Sequence, residues 1–103
     1  MERLTFRFPA TKILKSHAHV GVVGSGDLEI LMEPTEGEYA DVTIRTGTTG
    51  YKEIWKTVLE RFFIQNAVSA KIMINDFGAT PGVVTLRLAQ ALEVANVAEY
   101  IKK

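Results

Sequence analysis

The chain has 103 residues, with 12 Lys plus Arg against 12 Asp plus Glu, and 47% of it is hydrophobic. That length makes a single domain over residues 1–103 with a modest core. The balanced charge leaves no electrostatic footprint for nucleic acid or an acidic membrane surface. With no cysteine in the sequence, disulfides, thiolate zinc sites and a cysteine nucleophile are excluded. No apolar stretch is long enough to span a bilayer, and Met1-Glu-Arg-Leu4 does not read as a signal peptide, so the expectation is a cytoplasmic protein with no direct membrane contact.

Glu2 to Phe8 alternates weakly and predicts an edge strand ended by Pro9, followed by a polar connector from Ala10 to Ser16. Strands are predicted near His19–Val23, Leu28–Glu33 and Tyr39–Thr46. The last alternates most cleanly, with Ala40, Val42 and Ile44 on one face and Asp41, Thr43 and Arg45 on the other. Gly47-Thr-Thr-Gly50 offers a cap to a helix from Tyr51 to Gln65, whose Tyr51, Ile54, Trp55, Val58, Leu59, Phe62 and Phe63 recur at the spacing of one buried face. A strand near Ala70–Ile74 gives way to an Asp76-Phe-Gly-Ala79 loop. Thr80 is then an N-cap with Pro81 at the first helical position, where its missing N–H costs nothing. This last helix is expected to run to about Ala98, with Val84, Leu88, Ala91, Leu92 and Ala95 as its core face. Val83, Leu86, Val97 and Ile101 project elsewhere, under the chain ends or the first strand. The fold expected is α+β: a small, mostly antiparallel sheet of about four to five strands with two helices on one face.

The residues that carry chemistry are few. His17 and His19 share a strand face, but no third ligand of matching kind lies near them in the sequence. A Ser-His-Asp hydrolase would draw on Ser25, one of these histidines and Asp27 or Asp76. The segment lacks the G-x-S-x-G elbow and its strand-to-helix setting. Gly21 to Gly26 spells G-x-x-G-x-G, which is not the dinucleotide fingerprint, and no helix follows it to receive a phosphate. What stands out is Ser25 in Gly24-Ser25-Gly26-Asp27, between two apolar strands. Glycine makes a tight turn inexpensive and leaves the hydroxyl at a loop tip, within reach of another protein. By residue type alone this is a turn serine, and Asp27 an Asx residue pinning the turn.

Two segments change that reading. Val20-Gly-Val-Val-Gly-Ser-Gly-Asp-Leu-Glu-Ile-Leu-Met-Glu-Pro34 and Asn75-Asp-Phe-Gly-Ala-Thr-Pro-Gly-Val-Val-Thr-Leu-Arg-Leu88 resemble the acyl carrier (delta) subunits of malonate decarboxylase. The resemblance extends from Leu4-Thr-Phe-Arg-Phe-Pro9 to the last helix, and the citrate lyase acyl carrier subunit is more distantly similar. It implies a non-catalytic carrier whose Ser25, framed by Gly24, Gly26 and Asp27, holds 2'-(5''-phosphoribosyl)-3'-dephospho-CoA through a phosphodiester. The thiol of that arm would carry acetyl and malonyl groups while malonate is decarboxylated to acetate and carbon dioxide. The partners it implies are the transferase and decarboxylase subunits, the holo-carrier synthase that attaches the arm and the enzyme that acylates it. On the same resemblance Asp27 contacts the attaching enzyme, Asp76 or Phe77 docks a partner, and Arg87 serves as a salt bridge or a partner contact. The alternatives are a citrate lyase carrier and an interaction domain in which Ser25 stays unmodified.

Overall fold

The computed structural model describes residues 1–100. In chain order these form β1 (Glu2–Pro9), β2 (Lys12–Leu14), β3 (Ala18–Gly21), β4 (Asp27–Pro34), β5 (Tyr39–Thr46), α1 (Lys52–Gln65), β6 (Val68–Phe77), α2 (Pro81–Ala95) and β7 (Val97–Tyr100). The α+β class and the mostly antiparallel sheet are as expected. The strand number is not: the described residues form a seven-stranded sheet rather than one of four to five.

β6 is its axis. It runs parallel to β5 along one edge, and on the other it pairs antiparallel with β4 and, through Val68 and Ser69, parallel with β2. β1 closes one side on β5, β3 pairs with β4, and β7 pairs antiparallel with β2. The register explains the two faces. Leu4, Ile44, Ile74 and Ile30 lie side by side across β1, β5, β6 and β4, and all four are buried. Burying each such side chain contributes about 1.5–3 kcal/mol. One residue along, Thr5, Thr43, Met73 and Leu31 make the corresponding row on the face turned to solvent. A period of two in the side chains thus separates a helix-covered face from an open one.

α1 covers this face with Trp55, Leu59, Phe62 and Phe63, and the Phe63 ring stacks on Phe8 of β1 with centroids 4.8 Å apart. α2 packs on β3, β4 and α1 through Val84, Leu88, Ala91 and Ala95, with Leu92 partly buried beside them. Thr80 is its N-cap, accepting from Val83 N–H, with Pro81 at the first helical position. Other expectations need correction. The Ala10–Ser16 connector contains β2, three residues whose pattern is too short to show a period. The cap expected of Gly47–Gly50 is absent: Tyr51 is the N-cap of α1 and makes no side-chain cap bond. The strand expected at Ala70–Ile74 runs from Val68 to Phe77. Finally, α2 stops at Ala95 instead of Ala98, because Asn96 turns at φ 56° and the chain returns as β7. Leu86, expected under a neighbouring segment, is exposed, and Ile101 lies outside the described residues.

Candidate functional site: the Ser25 turn

The turn between β3 and β4 is shaped by two glycines. Gly21 takes φ +88°, and a Cβ there would meet the Leu28 carbonyl oxygen at 1.9 Å, so only glycine lets β3 close on β4 at this point. After the exposed Val22 and Val23, Gly24 to Asp27 make a turn in which Asp27 N–H donates to the Gly24 carbonyl at 3.1 Å. Gly26 takes φ +78° there with open space around it, and its N–H donates to the Phe77 carbonyl at 2.8 Å. Gly24, expected to need the same freedom, takes no positive φ. Ser25 stands at the tip, exposed, and its hydroxyl makes no hydrogen bond among the described residues.

Beneath the tip lies a brace that joins the turn to α2. Arg87 grips Asp27 with two bonds, Nε to Oδ1 at 3.1 Å and Nη2 to Oδ2 at 2.6 Å, and its Nη1 donates to Gln90 Oε1 at 2.9 Å. Asp27 Oδ1 also accepts from Leu28 N–H at 2.7 Å. Both side chains are largely covered, at 25% exposed for Arg87 and 17% for Asp27. The Arg87 guanidinium, then the Leu28 N–H, holds the Asp27 carboxyl below its ordinary range, and Asp27 in turn raises Arg87. The geometry therefore gives Asp27 a pinning contact and Arg87 a salt bridge. These two residues are 60 apart in the chain, and no local pattern announces their pairing.

The other candidates are spoken for. Asp76 is buried and ties three segments together, accepting from Thr46 Oγ1 at 2.8 Å and from Ala79 N–H at 3.0 Å. It offers a partner little surface, whereas Phe77 beside it is 38% exposed. Glu29, on the same face of β4 as Leu31, is engaged: Asn75 Nδ2 donates to it at 2.9 Å and His19 Nε2 lies 2.8 Å away. These bonds, Asn75 first, hold the Glu29 carboxyl below its ordinary range. Ser25 and His19 are thus not assembled into a hydrolase triad, and His17 is simply exposed. Among the described residues no three His, Asp or Glu side chains gather as metal ligands, and no helix is long and apolar enough to cross a membrane. One feature escaped the sequence reading altogether. Tyr51 and Ile54, expected in the core, instead line a cleft of about 250 Å³ whose residues also include Trp55, Asp76, Gly78 and Pro81.

Chemically, this is an exposed hydroxyl on a braced turn, with no base hydrogen-bonded to it among the described residues. It suits a residue on which another enzyme acts. Comparison with known proteins gives the family. Residues 15–95 match the family model of the malonate decarboxylase delta subunit. The malonate decarboxylase acyl carrier protein of Pseudomonas aeruginosa (strain UCBPP-PA14) is 49% identical over 97 residues, spanning 93% of this chain and 98% of that one. That of Azotobacter vinelandii is 48% identical over 99 residues, spanning 94% and 100%. One chain in the crystal structure of a Pseudomonas malonate decarboxylase hetero-tetramer in complex with malonate superposes with a TM-score of 0.89 at 44% identity, covering 93% of this chain and all of that one. The family match and these relatives make the chain a carrier rather than a catalytic subunit. The chain belongs to the malonate decarboxylase acyl carrier (delta subunit) family, and the more distant likeness to citrate lyase carriers gives way to that match.

Proposed function

We propose that Ser25 is the attachment point of a phosphoribosyl dephospho-CoA arm and that the chain carries acyl groups for a malonate decarboxylase complex in the cytoplasm. The observation that carries this reading is the exposed, unpartnered Ser25 hydroxyl on a braced turn in a chain of this family. The site fits such a group: Ser25 is exposed at the tip, and even a Cβ added at the neighbouring Gly26 would meet nothing within 4 Å. When bound, the arm supplies the thiol that this cysteine-free chain lacks, holding acetyl and malonyl groups as thioesters at high effective concentration near each partner's active site.

The chain's own residues present and hold the hydroxyl. In attachment the Ser25 oxygen forms the new P–O bond and pyrophosphate leaves the arm's precursor. The hydroxyl proton passes to a base of the attaching enzyme, because Asp27, clamped as a carboxylate by Arg87, is a poor proton acceptor. Gly24, Gly26 and Asp27 keep the tip narrow and fixed, so that the transferase, decarboxylase, holo-carrier synthase and acylating enzymes all meet the same geometry.

The test is the intact mass of the protein made with its cofactor-synthesis enzymes, beside a Ser25→Ala control. A gain equal to the arm in the wild type and none in the control is expected. An unmodified wild type, with the synthase shown active on a known carrier, would leave an unmodified interaction domain as the better account. Rapid labelling of Ser25 by a fluorophosphonate would instead make it a hydrolase nucleophile.

A further inference from the structure

We infer that the cleft between α1 and the start of α2 receives the purine of the arm carried by Ser25, an inference that rests on the carrier reading above. The cleft has an aromatic and aliphatic wall from Trp55, Tyr51, Ile54 and Pro81, with the Asp76 carboxylate at its polar edge. Trp55 is covered, whereas Tyr51 and Ile54 are 49% and 46% exposed although they stand next to the core stripe of α1. An apolar slot with an aromatic wall matches a purine base, which stacks on aromatic side chains whatever its partners elsewhere. At about 250 Å³ it lies below the ~300–1,000 Å³ of pockets that take drug-sized ligands, room for one base rather than a whole nucleotide.

The location supports the same occupant. Gly78 lines the cleft and bridges to Asp27, while Gly26 N–H bonds the neighbouring Phe77 carbonyl at 2.8 Å, so one edge of the cleft adjoins the two residues that follow Ser25. Along the arm from the serine, the adenosine is the first planar apolar body, before the pyrophosphate and the long amide-rich pantetheine. Holding the base would shorten the free part of the tether and leave the thiol end released to the partners. Holding the thiol end would oppose transfer.

The experiment compares amide spectra of the unloaded chain and the loaded chain, with loading established separately by intact mass. Loading is expected to shift Thr48, Tyr51 and the Trp55 indole N–H as well as the turn, and to quench the fluorescence of Trp55, the only tryptophan. The far end of α2, Leu92–Ala95, should stay unmoved. In Tyr51→Ala the mass gain should persist while the shifts at the cleft fall by roughly half or more. Cleaving the pyrophosphate to release the pantetheine end should leave the cleft shifts in place. Full loading with shifts confined to Val22–Asp27 would overturn the inference while leaving the carrier reading intact. Shifts that vanish when the pantetheine end is released would put the thiol there instead. No mass gain at all would remove the carrier reading and this inference with it.

Discussion

Two serines in this chain show what makes a hydroxyl available. Ser69 and Ser25 sit near opposite ends of β4, one in β6 beside the β4–β5 connection, the other in the turn before β4. Ser69 is fully buried, and its oxygen lies 2.8 Å from Thr35 Oγ1 and 3.1 Å from the Thr35 carbonyl, with the Gly37 carbonyl also in reach. It is a lock, closing the β4–β5 connection onto β6. Ser25 has none of this: its turn is held by backbone bonds and by the Asp27–Arg87 pair, so the hydroxyl has no structural task. The turn is braced by its neighbours, and the serine makes none of the bonds. A side chain relieved of structural work can be modified without cost to the fold.

The sharpest way to break that comparison is to damage the turn's own frame. Gly21→Ala should destabilise the protein by about 3 kcal/mol or more in chemical denaturation, since both φ and the Leu28 carbonyl forbid a Cβ. Asp76→Ala should cost about 1–3 kcal/mol, because it strands the Ala79 N–H and leaves the Thr46 hydroxyl only its Thr48 partners. Ser69→Ala should cost about 1–3 kcal/mol, whereas Ser25→Ala should stay within about 0.5 kcal/mol of wild type while abolishing the mass gain. Equal costs for the two serines would show that Ser25 has a structural partner after all.

The smallest effect concerns the brace and is read against pH. Because the folded Asp27 carboxyl titrates below its unfolded value of about 3.9, the stability it contributes is present above that value. It is lost as pH falls through the lower folded pKa. The stability gap between wild type and Asp27→Asn should therefore be full at neutral pH and shrink on acidification below about pH 4. A gap that stays constant would mean that the Arg87 pairing contributes nothing.

Much of this was legible in the residues because it depended on period. Ala40, Val42 and Ile44 alternate and are buried in alternation, and Thr80-Pro81 opens a helix as its chemistry dictates. The turn at Ser25 was legible from its glycines, and the role proposed for that serine came from a different source, a pair of long motifs resembling one family. The failures were of another kind. β2 is three residues that pair with β6 and β7, remote in sequence. The apolar run through Val94, Ala95, Val97 and Ala98 reads as continuing helix, and only the left-handed turn at Asn96 ends it. Tyr51 and Ile54 obey the helical spacing of a buried face but lie at its rim, where α1 and the start of α2 leave a cleft instead of closing on each other.

The sequence by itself therefore determined the class of fold, the faces of its regular elements and the serine at the turn, since these follow from local chemistry and spacing. Tertiary structure alone decided that Arg87 clamps Asp27, that Asp76 is a buried tie rather than a docking group, and that a cleft opens beside the turn. Each of these joins segments far apart in the chain, and such contacts exist only once the sheet has brought them together.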